Sequence, residues 1–475
     1  MRPLNYYSDF ISYSMKKWFQ LLRQALRGSE ESFTDGSINR AIFLLSVPMI
    51  MEMVMESLFA VVDIFFVSKI SIEAVATVGL TESVITLVYS IAIGLSTAAT
   101  ATIARRIGEG NTAQARRAIG QVVLISLAIS FPIALFGFVF AGDVLSMMGA
   151  DPKVIQTGTI FAQIQFLSAP VVILLYSLSG ALRGAGAAAT AMRSLIVANC
   201  LNMILGPILI FGFGPVPALG VAGAAIATAL GRSIGVGYQL YSLTRVNTAL
   251  AFVLRDLRPH RETIIAMIKV ATGGTVQFLI SSASWIFLTR ILAEFGSDVV
   301  AGYTIAIRVI MFTLLPAWGL ANAAATLVGQ NLGAQKPERA ALSVWKCASY
   351  NLIFLVGLSV FMFIGAEHII GWFSPNVEAI HTGKLALRVL CLGYGFYAYG
   401  MVVIQSLNGA GDTRTPTILN LICFWAIEIP LAYVLAIVFN LGPIGVFISV
   451  PVAESFLALL GIWQFKKGNW KTVKV

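Results

Sequence analysis

Three acidic side chains lie within one long apolar segment, SVPMIMEMVMESLFAVVDIFFVS, which runs from Ser46 to Ser68. At 100° per helical residue, Glu56 lies about 40° and Asp63 about 20° round from Glu52, so the three carboxyl groups share one stripe. A carboxylate that faced lipid at this depth would cost at least about 2.5 kcal/mol, so the stripe should face protein or a water-filled cavity. Burial and neighbouring like charge favour the protonated carboxyl, which then exchanges protons near neutral pH. The stripe predicts an ion-coupling site; a hydrogen-bonding seam between helices is the structural alternative.

The segment is one of many apolar runs long enough to cross a bilayer as a helix. Of the 475 residues, 58% are hydrophobic and 11% are charged, against about 25% charged in soluble domains. We therefore expect an all-α polytopic membrane protein with twelve transmembrane helices. The predicted spans are 39–68, 74–103, 118–141, 154–180, 192–212, 219–243, 263–291, 300–330, 342–366, 383–407, 416–439 and 443–466.

The net charge of +10 is explained by topology. Lys and Arg concentrate in the N-terminal arm, in alternate loops and in the C-terminal tail, which all fall on one side of the predicted membrane. By the positive-inside rule both termini are cytoplasmic, and we expect a multi-pass protein of the cell (inner) membrane. These short loops build no basic groove, so no nucleic-acid partner is expected.

Cysteine and histidine usage argues against catalysis and metal chemistry. The four cysteines lie in apolar runs without paired spacing, and the three histidines are scattered. Since no nucleophile–base or metal-ligand spacing is present either, we expect neither an enzyme nor a cofactor.

An internal repeat divides the chain into two lobes. IGEGNTAQARRA and LGAQKPERAAL, ALRGAG and SLNGAG, and ALGV and PIGV align at one offset of 225 residues, through the glycine pairs 108/333, 184/409 and 220/445. Six spans per repeat give both lobes the same orientation, related by a pseudo-twofold axis along the membrane normal. The predicted divisions are an interfacial amphipathic segment (1–37), the N-lobe (38–243), a cytoplasmic linker (244–262), the C-lobe (263–466) and a cytoplasmic tail (467–475).

The acids do not follow the repeat. In the C-lobe, Gln277, Ser281, Leu288 and Ile307 stand at the positions equivalent to Glu52, Glu56, Asp63 and Glu82. The C-lobe has its own intramembrane acids, Glu428 and Glu454, and the latter could be structural. We therefore expect ion coupling in the N-lobe. Arg308, at a depth similar to Glu82, has either a cross-lobe or a local role, and Arg232 has no assigned role.

The order and spacing of several motifs resemble the multidrug and toxic compound extrusion (MATE) transporters from Ile38 to the C-terminal tail. The motifs are P-x(14)-DIFFVS from Pro48 to Ser68, the Gly108 loop, LRGAG, NMILGPILIFG and LNGAGDTRTP. The resemblance implies two six-helix bundles in a V, which open alternately to either side and export organic cations against H⁺ or Na⁺.

The resemblance extends unevenly to single residues. It places Asp63 at the cation-binding carboxylate of the N-lobe, which would be a metal ligand if the coupling ion is Na⁺, and Asn202 at an asparagine of that site. Gly206 stands where many members carry a second aspartate, a loss for which Glu52, Glu56 or Glu82 could compensate. Members with a C-lobe ion site use acids at positions that Ser281 and Tyr397 occupy here.

The function expected from these residues is secondary antiport of organic, lipophilic cations by alternating access. The predicted ion-coupling residues are Asp63, Glu52, Glu56, Asn202 and Glu82. The predicted substrate-binding residues, chosen for cation–π or ionic contact, are Phe59, Phe396, Tyr397, Trp425 and Glu428. The other expected partners are membrane lipids, and the transporter is expected to act as a monomer. The alternative is a flippase for a lipid-linked precursor, whose anionic headgroup would require several midplane arginines.

Overall fold

The computed structural model describes residues 18–28, 33–245, 251 and 253–473, and within these residues it is helical without a β-sheet. Nine helical segments are long and apolar enough to cross a membrane singly, and two further spans are pairs bent by 41° and 57°. With the acid-bearing helix as span one, the architecture agrees with the predicted all-α, twelve-span, two-lobe fold. In chain order the spans are Ile38–Val67, Ile72–Gly108, Thr112–Met147, Pro152–Leu167 with Ala169–Gly184, Ala188–Phe211, Gly220–Arg245, Arg261–Leu292, Ser297–Gly333, Pro337–Gly371, Val377–Cys391 with Tyr394–Gly409, Arg414–Val438, and Pro443–Lys467.

The 225-residue repeat is visible in the helix boundaries. Span two begins at Ile72 and ends at Gly108, and span eight begins at Ser297 and ends at Gly333. The bend inside span four recurs at the equivalent place in span ten. Gly186 and Gly411, which follow these two bent spans, have φ values of +84° and +89°, a conformation open to glycine but costly for other residues. The duplication therefore extends to bends and turns.

Span eleven departs from a regular α-helix. Arg414–Asn420 is α-helical, Leu421–Glu428 is π-helical, Ile429–Tyr433 is α-helical, and Val434–Val438 is again π-helical. Pro430 lies between the two π segments and lacks the N–H that a regular helix would use. Glu428 thus lies where the backbone hydrogen-bond pattern changes, and such π segments are common at functional sites.

The lobes meet closely on the side of the membrane that carries most of the Lys and Arg, here called the basic side. A Cβ added to Gly108 would lie 2.0 Å from the carbonyl oxygen of Gln330, and one added to Gly333 would lie 2.2 Å from that of Arg105. Only glycine permits so close a crossing of spans two and eight. We call this pair of twofold-related contacts the basic-side seal.

Hydrogen bonds reinforce the seal. The side chains of Thr326 and Gln330, from the C-lobe, donate to the backbone oxygens of Arg183 and Gly184 in the N-lobe, at 3.2 and 2.9 Å. Since four interlobe contacts converge at this side, the lobes are closed here.

The segment before span one also contacts the C-lobe. Lys336 Nζ lies 2.5 Å from Asp35 Oδ1, and Arg339 donates to the backbone oxygens of Asp35 and Gly36. The hydrogen bond from Lys336 and its charge lower the pKa of Asp35 from its usual value, so this contact persists to more acidic pH than a free aspartate would allow.

The chain ends dock on the lobes. Residues 18–27 form a helix in which Trp18 packs edge-to-face on Phe43, while residues 1–17 of the predicted amphipathic segment lie outside the described residues. In the tail, Trp470 is buried against Phe465, and the Val473 oxygen accepts from Arg105 of the N-lobe. The tail is therefore part of the basic-side contact.

Candidate ion- and substrate-binding site

A cavity of about 220 Å³ lies inside the N-lobe between spans one, two, four and six. Asp63 and Glu82 line it together with aromatic side chains and one arginine. The full lining is Phe59, Asp63, Thr81, Glu82, Ile85, Thr86, Tyr89, Phe161, Gln165, Thr228 and Arg232. Asp63 lies near the end of span one and Glu82 near the beginning of span two, so the cavity occupies the half of the lobe remote from the basic-side seal. Asp63 is half-buried and Glu82 is exposed. A small cation could therefore meet two carboxylates and aromatic faces in one place.

Arg232 is the positive charge of this cavity. Its guanidinium donates to Tyr89 Oη at 2.6 Å and lies 5.1 Å from the centre of the Phe59 ring. Its second terminal nitrogen lies 4.0 Å from Glu56 Oε1, and its charge also acts on Asp63 and Glu82. The role left open by the sequence is thus that of a buried counter-ion to the N-lobe acids, which reduces their electrostatic repulsion.

Glu56 and Glu52 extend the acidic stripe from the cavity towards the basic side. Glu56 accepts a hydrogen bond of 2.6 Å from Tyr176 Oη. Glu52, only 3% exposed, pairs with Arg183 at 2.6 Å, and Arg183 also donates to Ser96 Oγ at 2.8 Å. The stripe faces protein, as its sequence required, but it is split between a cavity end and a buried ion pair.

The buried ion pair is close to the seal, because the backbone oxygen of Arg183 accepts the hydrogen bond from Thr326 of the C-lobe. Glu52 Oε2 has no hydrogen-bond partner among the described residues. The ion pair fits the structural alternative of a hydrogen-bonding seam between helices, and the unpartnered oxygen fits a role in ion coupling. The role of Glu52 in coupling stays a prediction.

Asn202 reaches the cavity indirectly. Its side-chain amide donates at 3.0 Å to Thr228 Oγ1, and Thr228 lines the cavity. A Cβ placed on the buried Gly206, one turn further along span five, would meet no atom within 4 Å. Next to Gly206 there is therefore open space that no described side chain fills.

Arg308 and Glu82 interact across the lobes only through their charges. The charge of Arg308 acts on Glu82, yet no ion pair within 4.0 Å joins the two among the described residues. The cross-lobe pair considered from the sequence is thus a long-range interaction.

The predicted substrate-binding residues fall into two groups. Phe59 lines the N-lobe cavity, whereas the remaining four lie in the C-lobe and do not line that cavity. Trp425 donates to the Ile280 oxygen at 3.1 Å and packs on Phe287, and Tyr397 packs edge-to-face on Tyr394. Phe396 is exposed, and Glu428 is only 1% exposed. Their roles stay predictions.

Sequence reasoning missed the side chains that contact the predicted site residues and Arg232. Tyr89, Tyr176, Arg183 and Thr228 come from spans two, four and six, 26 to 143 residues away from the groups they contact. The sequence offered little signal for Arg183, because the predicted span four ends at residue 180 and leaves this arginine among the loop charges of the basic side.

A family model and known proteins match the chain in both lobes. The family model MatE matches residues 48–208 and 275–434, one match in each lobe. A probable multidrug resistance protein NorM of Thermotoga maritima is 28% identical over 438 residues, covering 91% of this chain and 93% of that protein. The multidrug export protein MepA of Staphylococcus aureus is 24% identical over 428 residues, covering 90% and 93%.

Among solved structures, an outward-facing conformation of a multidrug resistance MATE family transporter superimposes with a TM-score of 0.87 at 25% identity. The match covers 95% of this chain and 98% of that chain. The similarity therefore includes both lobes and their relative arrangement.

Proposed function

The chain belongs to the MatE family, and on that premise we propose that it is a secondary active antiporter that exports organic cations in exchange for H⁺ or Na⁺ by alternating access. The observation that carries the proposal is the N-lobe cavity, where Asp63 and Glu82 lie among aromatic side chains. Two carboxylates and one guanidinium leave the empty cavity with an excess of negative charge when the acids are ionised. Such a cavity suits a cation with apolar surface, which gains both ionic and cation–π contact.

Exchange follows from competition for the same carboxyl groups. When the coupling ion binds Asp63 and Glu82, the cavity loses the charge that holds a cationic substrate, and the substrate is released. When the ion leaves, the negative cavity binds substrate again. By thermodynamic linkage, bound substrate weakens ion binding by the same factor.

Alternating access requires that the closed side open. The basic-side seal holds spans two and eight together, and the Glu52–Arg183 pair lies directly behind it. We infer that the charge state of the acidic stripe is transmitted to the seal through Arg183, whose backbone oxygen accepts from Thr326 across the lobes. The positive-inside distribution makes the basic side cytoplasmic, so the closed seal corresponds to an outward-open state.

The test is gradient-driven transport by purified protein in inside-out proteoliposomes, with tetraphenylphosphonium as the lipophilic cation. Imposed H⁺ and Na⁺ gradients, applied separately, should identify the ion that drives accumulation. For substitutions of the cavity acids in this assay, the matched control is Glu378→Gln, which removes an exposed acid at the start of span ten. Uptake that ignores both gradients would overturn antiport.

The flippase alternative is less well supported, because an anionic headgroup would meet two carboxylates and a single arginine in this cavity. A fluorescent pyrophosphate-linked lipid added to the same liposomes should not be translocated. Its translocation without movement of the cation would favour the alternative.

A further inference from the structure

The C-lobe holds two acids of its own in the membrane interior, Glu428 on span eleven and Glu454 on span twelve. Glu428 is buried and Glu454 is partly exposed. The two charges act on each other, and both act on the hydroxyl of Tyr397 on span ten. Tyr303 on span eight is influenced by Glu428, and its ring stacks on Phe447 at 5.8 Å. The two acids thus belong to one cluster, built from four spans.

The cluster differs from the N-lobe site in having no positive charge. Each N-lobe acid has an arginine in reach: Arg183 for Glu52, and Arg232 for Glu56, Asp63 and Glu82. No cationic side chain of the described residues acts on Glu428 or Glu454. The titratable groups that face them are Tyr303, Tyr397 and Cys423, which are neutral when protonated. A buried carboxylate without a counter-charge costs several kcal/mol, so the cluster must obtain a positive charge from solution.

Two oxygen atoms of the cluster are available for that purpose. Glu428 Oε2 and Tyr303 Oη are buried and have no hydrogen-bond partner among the described residues. Tyr303 is 3% exposed, and a buried hydroxyl without a partner is uncommon in proteins. Since the tyrosine is not an acid, its unpartnered oxygen is an observation independent of the carboxylates. Glu428 Oε2 is free to bind a cation or to take a proton, and the Tyr303 hydroxyl oxygen is free to coordinate a cation or to accept a hydrogen bond.

The backbone places these oxygens. Glu428 is the last residue of the π-helical segment that precedes Pro430, so its position is set by the irregular stretch of span eleven. A π segment in a helix is frequently retained where it directs a functional side chain. A purely structural carboxyl in this position would leave both the irregular helix and the unpartnered oxygens unexplained.

We propose that Glu428, Glu454, Tyr303 and Tyr397 form a second ion site, in the C-lobe, which binds a monovalent cation, either H⁺ or Na⁺. Carboxylate and hydroxyl oxygens suit such hard cations. The sequence alone left the C-lobe without an ion site, because Ser281 and Tyr397 stand where related transporters carry acids. In this chain the carboxylates come from spans eleven and twelve, and both act on the hydroxyl of Tyr397.

The experiment measures ion binding by the purified full chain in nanodiscs and needs no transport, so it is independent of the antiport proposal. Infrared difference spectra between acidic and alkaline buffer report protonated carboxyl groups, and equilibrium binding of ²²Na⁺ reports sodium. Four proteins are compared in an Asp63→Asn background: the parent, Glu428→Gln, Glu454→Gln and the double variant. Glu294→Gln, which removes an exposed acid, is the matched control.

If the ion is a proton, the double variant should lack a pH-dependent carboxyl band that the parent and the control show. If it is Na⁺, the double variant should lose the Na⁺ bound by the parent. Tyr303→Phe, which removes one hydroxyl and keeps the ring stacked on Phe447, should weaken binding several-fold in either case. Identical spectra and identical Na⁺ binding in the parent and the double variant would overturn the proposal. So would a carboxyl band that is present at every pH and insensitive to Na⁺, because both acids would then be permanently neutral packing groups.

Discussion

The ion pair between Glu52 and Arg183 should make a measurable contribution to stability, which a substitution of either residue would reveal. The Nη1–Oε1 distance is 2.6 Å, and the two side chains are only 4% and 9% exposed. Removing one member of a buried pair leaves an uncompensated charge and costs about 3–5 kcal/mol. Glutamine at position 52 keeps one acceptor oxygen for Arg183, so we expect Glu52→Gln to lie near the lower end, about 3 kcal/mol.

The assay is thermal unfolding of the purified protein in one detergent, for Glu52→Gln, Arg183→Met and the double variant. Each single variant should unfold several degrees lower than the parent. In the double variant neither charge remains unpaired, so most of the loss should be recovered, with a coupling energy of about 2 kcal/mol or more. The control is Glu338→Gln, which breaks an exposed pair with Lys471 of similar length, 2.7 Å, and should cost less than about 1 kcal/mol. Single variants as mild as this control, or a double variant equal to the sum of the singles, would refute the reasoning.

Three further substitutions test the site and the seal. Asp63→Asn should leave a folded protein at least as stable as the parent, because it removes a charge in the membrane interior. The variant should nevertheless uncouple tetraphenylphosphonium transport from the ion gradient, whereas the control Ser281→Ala should retain coupling. The reverse result would contradict the assignment of the coupling site to the N-lobe. Gly206→Asp should fit, since a Cβ there meets no atom within 4 Å, and should increase tetraphenylphosphonium affinity about tenfold in a binding titration, equivalent to about 1.4 kcal/mol; unchanged affinity would show that the open space does not communicate with the site. Gly108→Ala should prevent closure of the basic side, because its Cβ would lie 2.0 Å from the Gln330 oxygen, and spin labels at Glu109 and Gln335 should therefore move apart, whereas Gly237→Ala, with nothing within 4 Å, should leave the distance unchanged; equal distances in both variants would contradict the seal.

The fold could be predicted from the sequence because its signals are local or periodic. Apolar runs mark the spans, and three glycine motifs at one offset fix the duplication, which the helix boundaries follow to within about two residues. The irregular span eleven could not be predicted in the same way. Pro430 indicates an interruption, but the number of residues in each π turn depends on how Glu428 and its neighbours pack.

The candidate site could be predicted in part. The stripe of Glu52, Glu56 and Asp63 follows from helical geometry, and their burial follows from the cost of charge in lipid. Their separation into a cavity group and an ion pair depends on Arg183 and Arg232, which belong to other spans. Such long-range pairing leaves no periodic signal in one sequence, because each arginine alone fits equally well as a topological or a snorkelling charge.

The aromatic side chains show a related limit. Phe59 lies on the same helical stripe as the acids and lines the cavity, and its role in substrate binding stays a prediction. For Trp425 and Tyr397, residue type was the only signal, and their ring contacts with Phe287 and Tyr394 arise from packing between spans.

The reciprocal glycine contacts at the seal bear on how such a chain can evolve. Gly108 meets the backbone of residue 330, and Gly333 meets that of residue 105, so the same contact is made twice with the two halves exchanged. This is the geometry of a symmetric homodimer, in which one surface patch serves both partners. In a homodimer every mutation would appear on both sides at once, so an acid acquired in one half would also burden the other. In a single chain that constraint is absent, so Asp63 and Leu288 can stand at equivalent positions while the interface remains symmetric. The seal thus keeps a twofold symmetry that the ionisable residues do not share.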